Sequence, residues 1–252
     1  MADMRRLWPG DVPGLSEAEL TAAYAPVDRN RPWLRVNFVT SADGAVTLDG
    51  HSEGLSSAPD KRVFGLLRML CDVLLVGAGT VREEGYRPLR LDPVRRAWRR
   101  EAGLPEVPAL AVISSRLALD PDDRMFADAP VRPIVITHGG SPLGARDRLT
   151  AVADVLVVGD AEVSLAAARE ALAARGLRQV LCEGGPHLFG SLLAADQVDE
   201  LCLTVAPLLA GPGAGRIVAG PGAPPRRFRL DQVLQGDGNL LLRYARRAPA
   251  DT

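Results

Sequence analysis

Short apolar runs separated by polar, glycine-rich joints dominate this chain. LRVNFVTS at 34–41 opens the pattern after Pro32, and VLLVG at 73–77 is fully apolar and rich in β-branched residues. The same character returns in PALAVIS at 108–114, PIVIT at 133–137, DVLVVG at 154–159 and QVLCEG at 179–184. Runs that are apolar on both faces predict strands buried from both sides, as in a parallel sheet. Helical spacing lies between them. VFGLLRMLC, after Asp60, repeats its apolar residues three and four apart, and VSLAAAREALAARG at 163–176 predicts a helix that stops at Gly176. Strands alternating with helices predict an α/β domain on a mostly parallel sheet.

The ends of the chain read differently. Residues 1–31 form an N-terminal arm, in which Ser16 followed by Glu19 is a capping box opening a short helix over 16–25. The stretch 42–57, ADGAVTLDGHSEGLSS, is too rich in Gly, Ser and Asp to pack and predicts a loop. VDELCLTVAPLLAG and RFRLDQVLQGDGNLLLRYARR supply further β runs, the latter two meeting at Gly236-Asp237-Gly238. These predict a C-terminal antiparallel hairpin at the sheet edge. With no internal repeat and no long linker, 32–252 reads as one domain.

Composition narrows the function classes. The chain has 252 residues, 47% of them hydrophobic, and Lys+Arg 30 nearly balances Asp+Glu 31. Only Lys61 is a lysine; the 29 arginines are scattered among acids, which argues against a nucleic-acid surface and for a coding bias. Cys71, Cys182 and Cys202 each sit in an apolar run without metal or disulfide spacing, so they read as buried thiols in a reducing compartment. MADMRRLWPGD has no apolar signal core and no 18-residue apolar stretch occurs, which predicts a cytoplasmic protein without a membrane partner. His51, His138 and His187 have no partners at ligand spacing, and no metal site is expected. G-x-S-x-G and G-x-x-x-x-G-K are both missing, which removes serine hydrolase and P-loop readings.

Two strand-to-helix turns carry the candidate chemistry. Gly77-Ala78-Gly79-Thr80 follows VLLV, and glycines there let an anion approach the backbone; taken alone, a tight turn explains them equally well. Glu183-Gly184-Gly185-Pro186-His187-Leu188 ends a strand in a carboxylate and starts a helix with proline. Its free N–H groups and positive helix end suit a diphosphate. Two such turns at the carboxyl ends of neighbouring strands make a mononucleotide crevice.

The motifs also form an ordered set. Asn37-Phe38-Val39-Thr40-Ser41-Ala42-Asp43-Gly44, Leu66-Leu67-Arg68, Gly79-Thr80-Val81, Glu183 to Leu188 and Gly190-Ser191-Leu192-Leu193 follow one another in the chain. Val198-Asp199-Glu200-Leu201 and Ala206-Pro207-Leu208-Leu209-Ala210-Gly211 complete it. Over roughly 33–246 the chain resembles the reductase domain of riboflavin-biosynthesis deaminase–reductases. The resemblance implies a dihydrofolate-reductase-like α/β fold, NADPH as hydride donor and a homodimer. The surplus apolar length of VDELCLTVAPLLAG agrees with a covering partner subunit.

By the same resemblance the cofactor touches Val39, Gly77, Gly79, Thr80, Ser115 and the loop Gly184, Gly185, Pro186, His187, Leu188 and Phe189. Arg116 is matched to the 2′-phosphate. The substrate side falls to Ser52, Arg68, Glu84, Arg90 and Glu183; Asp60, where typical riboflavin reductases lack an acid, joins it by comparison with the pterin-binding carboxylate of dihydrofolate reductases, and Asp60 and Glu183 are the candidate catalytic carboxylates. Arg68 and Arg90 are expected to converge on a 5′-phosphate, since a guanidinium fork matches phosphate geometry. Two departures stand out. His51-Ser52-Glu53 is the only H-x-E and no P-C-x-x-C accompanies it, so no zinc deaminase is expected. And Glu83-Glu84-Gly85-Tyr86-Arg87-Pro88-Leu89-Arg90 replaces the family's two aspartates and proline, which rebuilds the substrate wall. The leading reading is reduction of a ribosylamino-uracil phosphate. The alternatives are a pterin reductase using Asp60, whose plainer role is a helix N-cap, and a silent nucleotide-binding protein.

Overall fold

The computed structural model describes residues 3–220 and 222–246. The chain enters through β1 (Arg5–Trp8) and α1 (Glu17–Tyr24), then runs β2 (Trp33–Ser41), α2 (Ala58–Leu70), β3 (Val73–Gly77) and α3 (Ala78–Glu83). It continues through α4 (Pro93–Glu101), β4 (Ala109–Ile113), α5 (Arg124–Ala127), β5 (Ile134–Thr137), α6 (Leu143–Thr150) and β6 (Asp154–Val157). The last elements are α7 (Leu165–Ala174), β7 (Gln179–Cys182), α8 (Pro186–Ala194), β8 (Glu200–Ala206), β9 (Phe228–Gly236) and β10 (Asn239–Arg246).

The ten strands form one sheet in the order β1-β9-β10-β8-β2-β7-β3-β4-β5-β6. From β8 through β2 and β7 to β6 neighbouring strands run parallel, while β10 joins β8 and β9 antiparallel. Along β3 the side chains alternate between two cores: Leu74 and Val76 face α2, Val73 and Leu75 face α7 and α8. That two-sided burial is why VLLVG is apolar at every position. The β9–β10 hairpin turns at Asp237 (φ 48°) and Gly238 (φ 77°), the positive pair that a two-residue hairpin turn requires.

The arm is less separate than the sequence implies. Its capping box is present, with Glu19 N–H donating to Ser16 Oγ at 3.2 Å and Ser16 N–H to Glu19 Oε2 at 2.9 Å. Yet Met4, Leu15, Leu20 and Tyr24 are buried in the main core, and β1 pairs antiparallel with β9 as an unanticipated edge strand. RRLW has no apolar alternation because most of this short edge faces solvent. Helix α2 also begins earlier than expected. Ser57 is its N-cap and Asp60 stands at the third helical position, with its N–H donating to Ser57 Oγ at 3.3 Å. Arg99 of α4 closes the other end of α2, donating from Nη1 to the carbonyls of Met69 (2.7 Å) and Cys71 (2.6 Å).

A buried ion pair joins the two halves of the sheet. Arg35 on β2 and Glu200 on β8 are register partners, and Arg35 Nε donates to Glu200 Oε1 at 2.7 Å, Nη2 to Oε2 at 3.3 Å. Trp33 Nε1 donates to Oε2 at 3.0 Å, and Arg35 Nη2 also reaches the Tyr24 carbonyl at 2.9 Å, tying in α1. Burial works against the Glu200 carboxylate, but Arg35 outweighs it and holds the pKa below the usual value. The stabilisation is therefore complete above the unfolded carboxylate pKa of about 4.3 and fades as pH falls through the lower folded value. Replacing Glu200 by Gln should cost about 3–5 kcal/mol in urea unfolding at neutral pH, because Arg35 is left buried without a counter-charge. A cost under about 1 kcal/mol would show that the pair has no such weight.

Candidate active site

Strands β3 and β7 are parallel neighbours, so the turns that follow them lie side by side. Gly77 N–H donates to the Gly184 carbonyl at 2.9 Å, which joins the two turns backbone to backbone. A side chain has no space here. A Cβ on Gly185 would stand 2.7 Å from Thr80 Oγ1, and one on Gly184, at φ 85°, would stand 2.7 Å from Phe38 Cζ. The Gly184–Gly185 peptide is cis. Gly185 is the N-cap of α8 and Pro186 starts that helix, which has no side-chain cap. Gly79 lies one residue inside α3 rather than in the turn; Gly77 is that helix's cap.

A cleft opens on each side of this junction. The first, of about 360 Å³, is bordered by Val39, Thr80, Gly185 and Pro186 and by Ser52, Asp60, Arg68, Glu84 and Glu183. The second, of about 770 Å³, is bordered by Gly77, Ser115, His187 and Leu188. The structure thus gathers most of the sequence-derived residues around the two clefts.

Three placements differ from the expected grouping around the clefts. Arg90 borders neither cleft and donates from Nη2 to the Asp128 carbonyl at 3.0 Å, so Arg68 and Arg90 do not converge. Arg116 likewise borders neither cleft, although its neighbour Ser115 does. Phe189 is buried and stacks on Phe38 at 5.4 Å, on the face of α8 that packs against the sheet.

The polar centre of the first cleft is Arg68 with Glu183. Arg68 Nε donates to Glu183 Oε1 at 2.7 Å and Nη2 to Oε2 at 2.6 Å, a bidentate pair at the end of β7. The guanidinium lies 4.1 Å over the Phe64 ring and also donates to Tyr86 Oη at 3.1 Å. Tyr86 O–H in turn donates to Glu183 Oε2. Burial opposes the charge on Arg68, but the Glu183 carboxylate more than offsets it and raises the pKa. Burial, followed by the Glu183 charge, pushes the Tyr86 phenol well above its ordinary value, so it remains a donor. Asp60 Oδ2 accepts from Ser56 Oγ at 2.5 Å, and Ser52 Oγ donates to Glu84 Oε1 at 3.3 Å.

Tyr86 and Lys61 both border this cleft and were not among the sequence-derived site residues. The available signals were Tyr86's place inside the rebuilt segment 83–90 and Lys61's being the sole lysine. Among the described residues no group of His, Cys, Asp or Glu is arranged to hold a metal ion.

A sequence profile of the RibD C-terminal domain matches residues 32–242. The chain belongs to the RibD C-terminal domain family. It is 30% identical over 182 residues to the 2,5-diamino-6-ribosylamino-4(3H)-pyrimidinone 5′-phosphate reductase of Archaeoglobus fulgidus, covering 72% of this chain and 83% of that protein. The protein of the same name from Methanothermobacter thermautotrophicus is 29% identical over 181 residues, covering 72% of this chain and 80% of its own. A pyrimidine reductase-like protein from Corynebacterium diphtheriae has a similar structure, with a TM-score of 0.82 at 28% identity, covering 91% of this chain and 99% of that one. The dihydrofolate-reductase-like architecture implied by the sequence resemblance is therefore the fold of this RibD-type domain.

The Arg68–Glu183 pair yields a direct test. Arg68→Met and Glu183→Gln should each destabilise more than the double substitution implies, with a coupling of about 1–3 kcal/mol in a double-mutant cycle read by urea unfolding. Additive costs would mean that the two groups do not interact in solution.

Proposed function

We propose that this chain is an NADPH-dependent reductase of a ribosylamino-pyrimidine 5′-phosphate. The observation that carries the reading is the glycine junction with a cleft on each side, in a chain whose relatives are named as reductases of that substrate class.

The residues present fit the cofactor. Gly185 packs its backbone against Thr80, where a Cβ would stand 2.7 Å from Thr80 Oγ1, and the uncapped first turn of α8 offers N–H groups and a positive dipole end to a diphosphate. Gly184, Gly185, Pro186, His187 and Leu188 would hold that diphosphate, with Val39 and Thr80 towards the first cleft and Gly77 and Ser115 along the second. When bound, NADPH supplies the hydride that converts the ring-opened ribose to a ribityl chain.

The chain's own task is orientation and charge. Glu183, locked by Arg68 and Tyr86, presents a fixed carboxylate edge at the junction, suited to accepting from sugar hydroxyls or pyrimidine amines. Ser52 and Glu84 form the facing wall. Asp60 is held by Ser56 and Ser57 at the start of α2, a position from which a carboxylate reads a donor-rich ring.

The test is an NADPH-consumption assay offering the diamino-pyrimidinone phosphate, its deaminated uracil counterpart and dihydrofolate. Oxidation of NADPH is expected with a pyrimidine phosphate and not with dihydrofolate. Gly185→Val, whose Cβ would press on Thr80 Oγ1, should lower the melting temperature and abolish NADPH binding, measured by fluorescence titration at a temperature where circular dichroism shows the fold retained. Turnover of dihydrofolate alone would overturn the substrate, and unchanged NADPH affinity in the variant would overturn the seat.

The same reading includes a cytosolic homodimer. Leu201, Leu203 and Val205 on β8 are half-buried, and Leu240 on β10 is exposed, so an apolar strip remains on one sheet face. Light scattering at micromolar concentration should give twice 26.8 kDa, and a stable monomer would remove the proposal.

A further inference from the structure

We propose that Lys61 is the residue that receives the phosphate of the substrate, in place of the two converging arginines suggested by the family resemblance. The inference rests on the reading that the substrate is a phosphorylated ribosylamino-pyrimidine, and it names the specificity determinant for that phosphate.

The charges bordering the first cleft set the problem. Five carboxylates, Glu53, Asp60, Glu83, Glu84 and Glu183, face two cations, Lys61 and Arg68. A phosphate dianion entering that field needs a free positive group. Arg68 is committed elsewhere: its Nε and Nη2 donate to Glu183 and Tyr86, its charge is matched by the Glu183 carboxylate, and its flat face lies on Phe64, which leaves only Nη1 towards the cleft. Withdrawing it would leave Glu183 buried without a counter-charge, which is costly. Arg90 is outside the cleft, bonded to the Asp128 carbonyl.

Lys61 meets the requirement. It is exposed, its backbone N–H donates to the Ser57 carbonyl at 2.9 Å, and among the described residues its ammonium has neither a hydrogen bond nor an ion pair. It lies in the first turn of α2, three residues before Phe64 and seven before Arg68, so the three share one helix stripe along the cleft. Its position at the helix start also lends the positive end of the dipole to any anion there. Ser52 and Ser56 border the same cleft, with hydroxyls that now donate to Glu84 and Asp60 and can rotate towards a phosphate. A guanidinium at this position would fork onto the surrounding carboxylates. A compact ammonium on a flexible stem stays available. The pyrimidine end is then directed to the opposite end of the cleft, at Glu183 and the glycine junction.

The experiment compares Lys61→Gln with the wild type on the phosphorylated pyrimidine and on the same riboside without phosphate. The substitution should raise KM for the phosphorylated compound about tenfold or more beyond any change in KM for the riboside, and added salt should reduce the wild type's preference. A second measurement is independent of turnover. Ribose 5-phosphate should bind the wild type more tightly than ribose in calorimetry, and Lys61→Gln should erase that difference at an unchanged melting temperature. Equal loss on both pyrimidine substrates, or a wild type that binds ribose 5-phosphate no better than ribose, overturns the proposal. If Lys61 governs ribose 5-phosphate binding while no pyrimidine is reduced, the phosphate site stands and the substrate assignment falls.

Discussion

Gly77 gives its N–H to the carbonyl of Gly184, and around that bond three elements meet with no side chain between them. Thr80 stands where a Cβ of Gly185 would be, and Phe38 where a Cβ of Gly184 would be. The parallel pairing of β3 and β7 brings both turns to the same end of the sheet. What remains at the junction is bare backbone, the beginning of α8, and a cleft on either side. Every other feature of the site is arranged with respect to this contact.

Two arginine–glutamate pairs then divide the work. Arg35–Glu200 lies in register between β2 and β8, sealed among α1 and the sheet, and locks the parallel run to β8, the strand on which the antiparallel β10 pairs. Arg68–Glu183 lies beyond the end of β7, with Glu183 almost covered and Arg68 about one-fifth exposed along its side chain. Both are bidentate and both depend on a third group, Trp33 in one and Tyr86 in the other. The first is enclosed and structural. The second borders open space, where a fixed carboxylate edge is useful to a ligand.

The parallel strands were legible because burial on two faces demands unbroken apolar runs, and Asp237-Gly238 announced its hairpin because few residues adopt positive φ twice. The glycine turns were legible for the same steric reason. Strand β1 was not, since a short, solvent-facing edge leaves no pattern. Nor was Asp60's place inside α2, because Ser57 competes as a cap only three residues earlier. Arg90 and Tyr86 sit in an irregular segment, 84–92, whose path follows from tertiary contacts rather than from local spacing. A matched motif could therefore name Arg90 as a ligand, although its guanidinium is turned to Asp128.

The scarcity of lysine has a practical corollary. An amine-directed reagent such as an activated ester ignores guanidinium groups, so in a chain with 29 arginines and a single exposed lysine it has one side-chain target. That target borders the first cleft. A fluorophore or crosslinker can be installed there without engineering a cysteine, provided the α-amino group is blocked first, and ligands entering the cleft would be read out, or protected against, at one side chain.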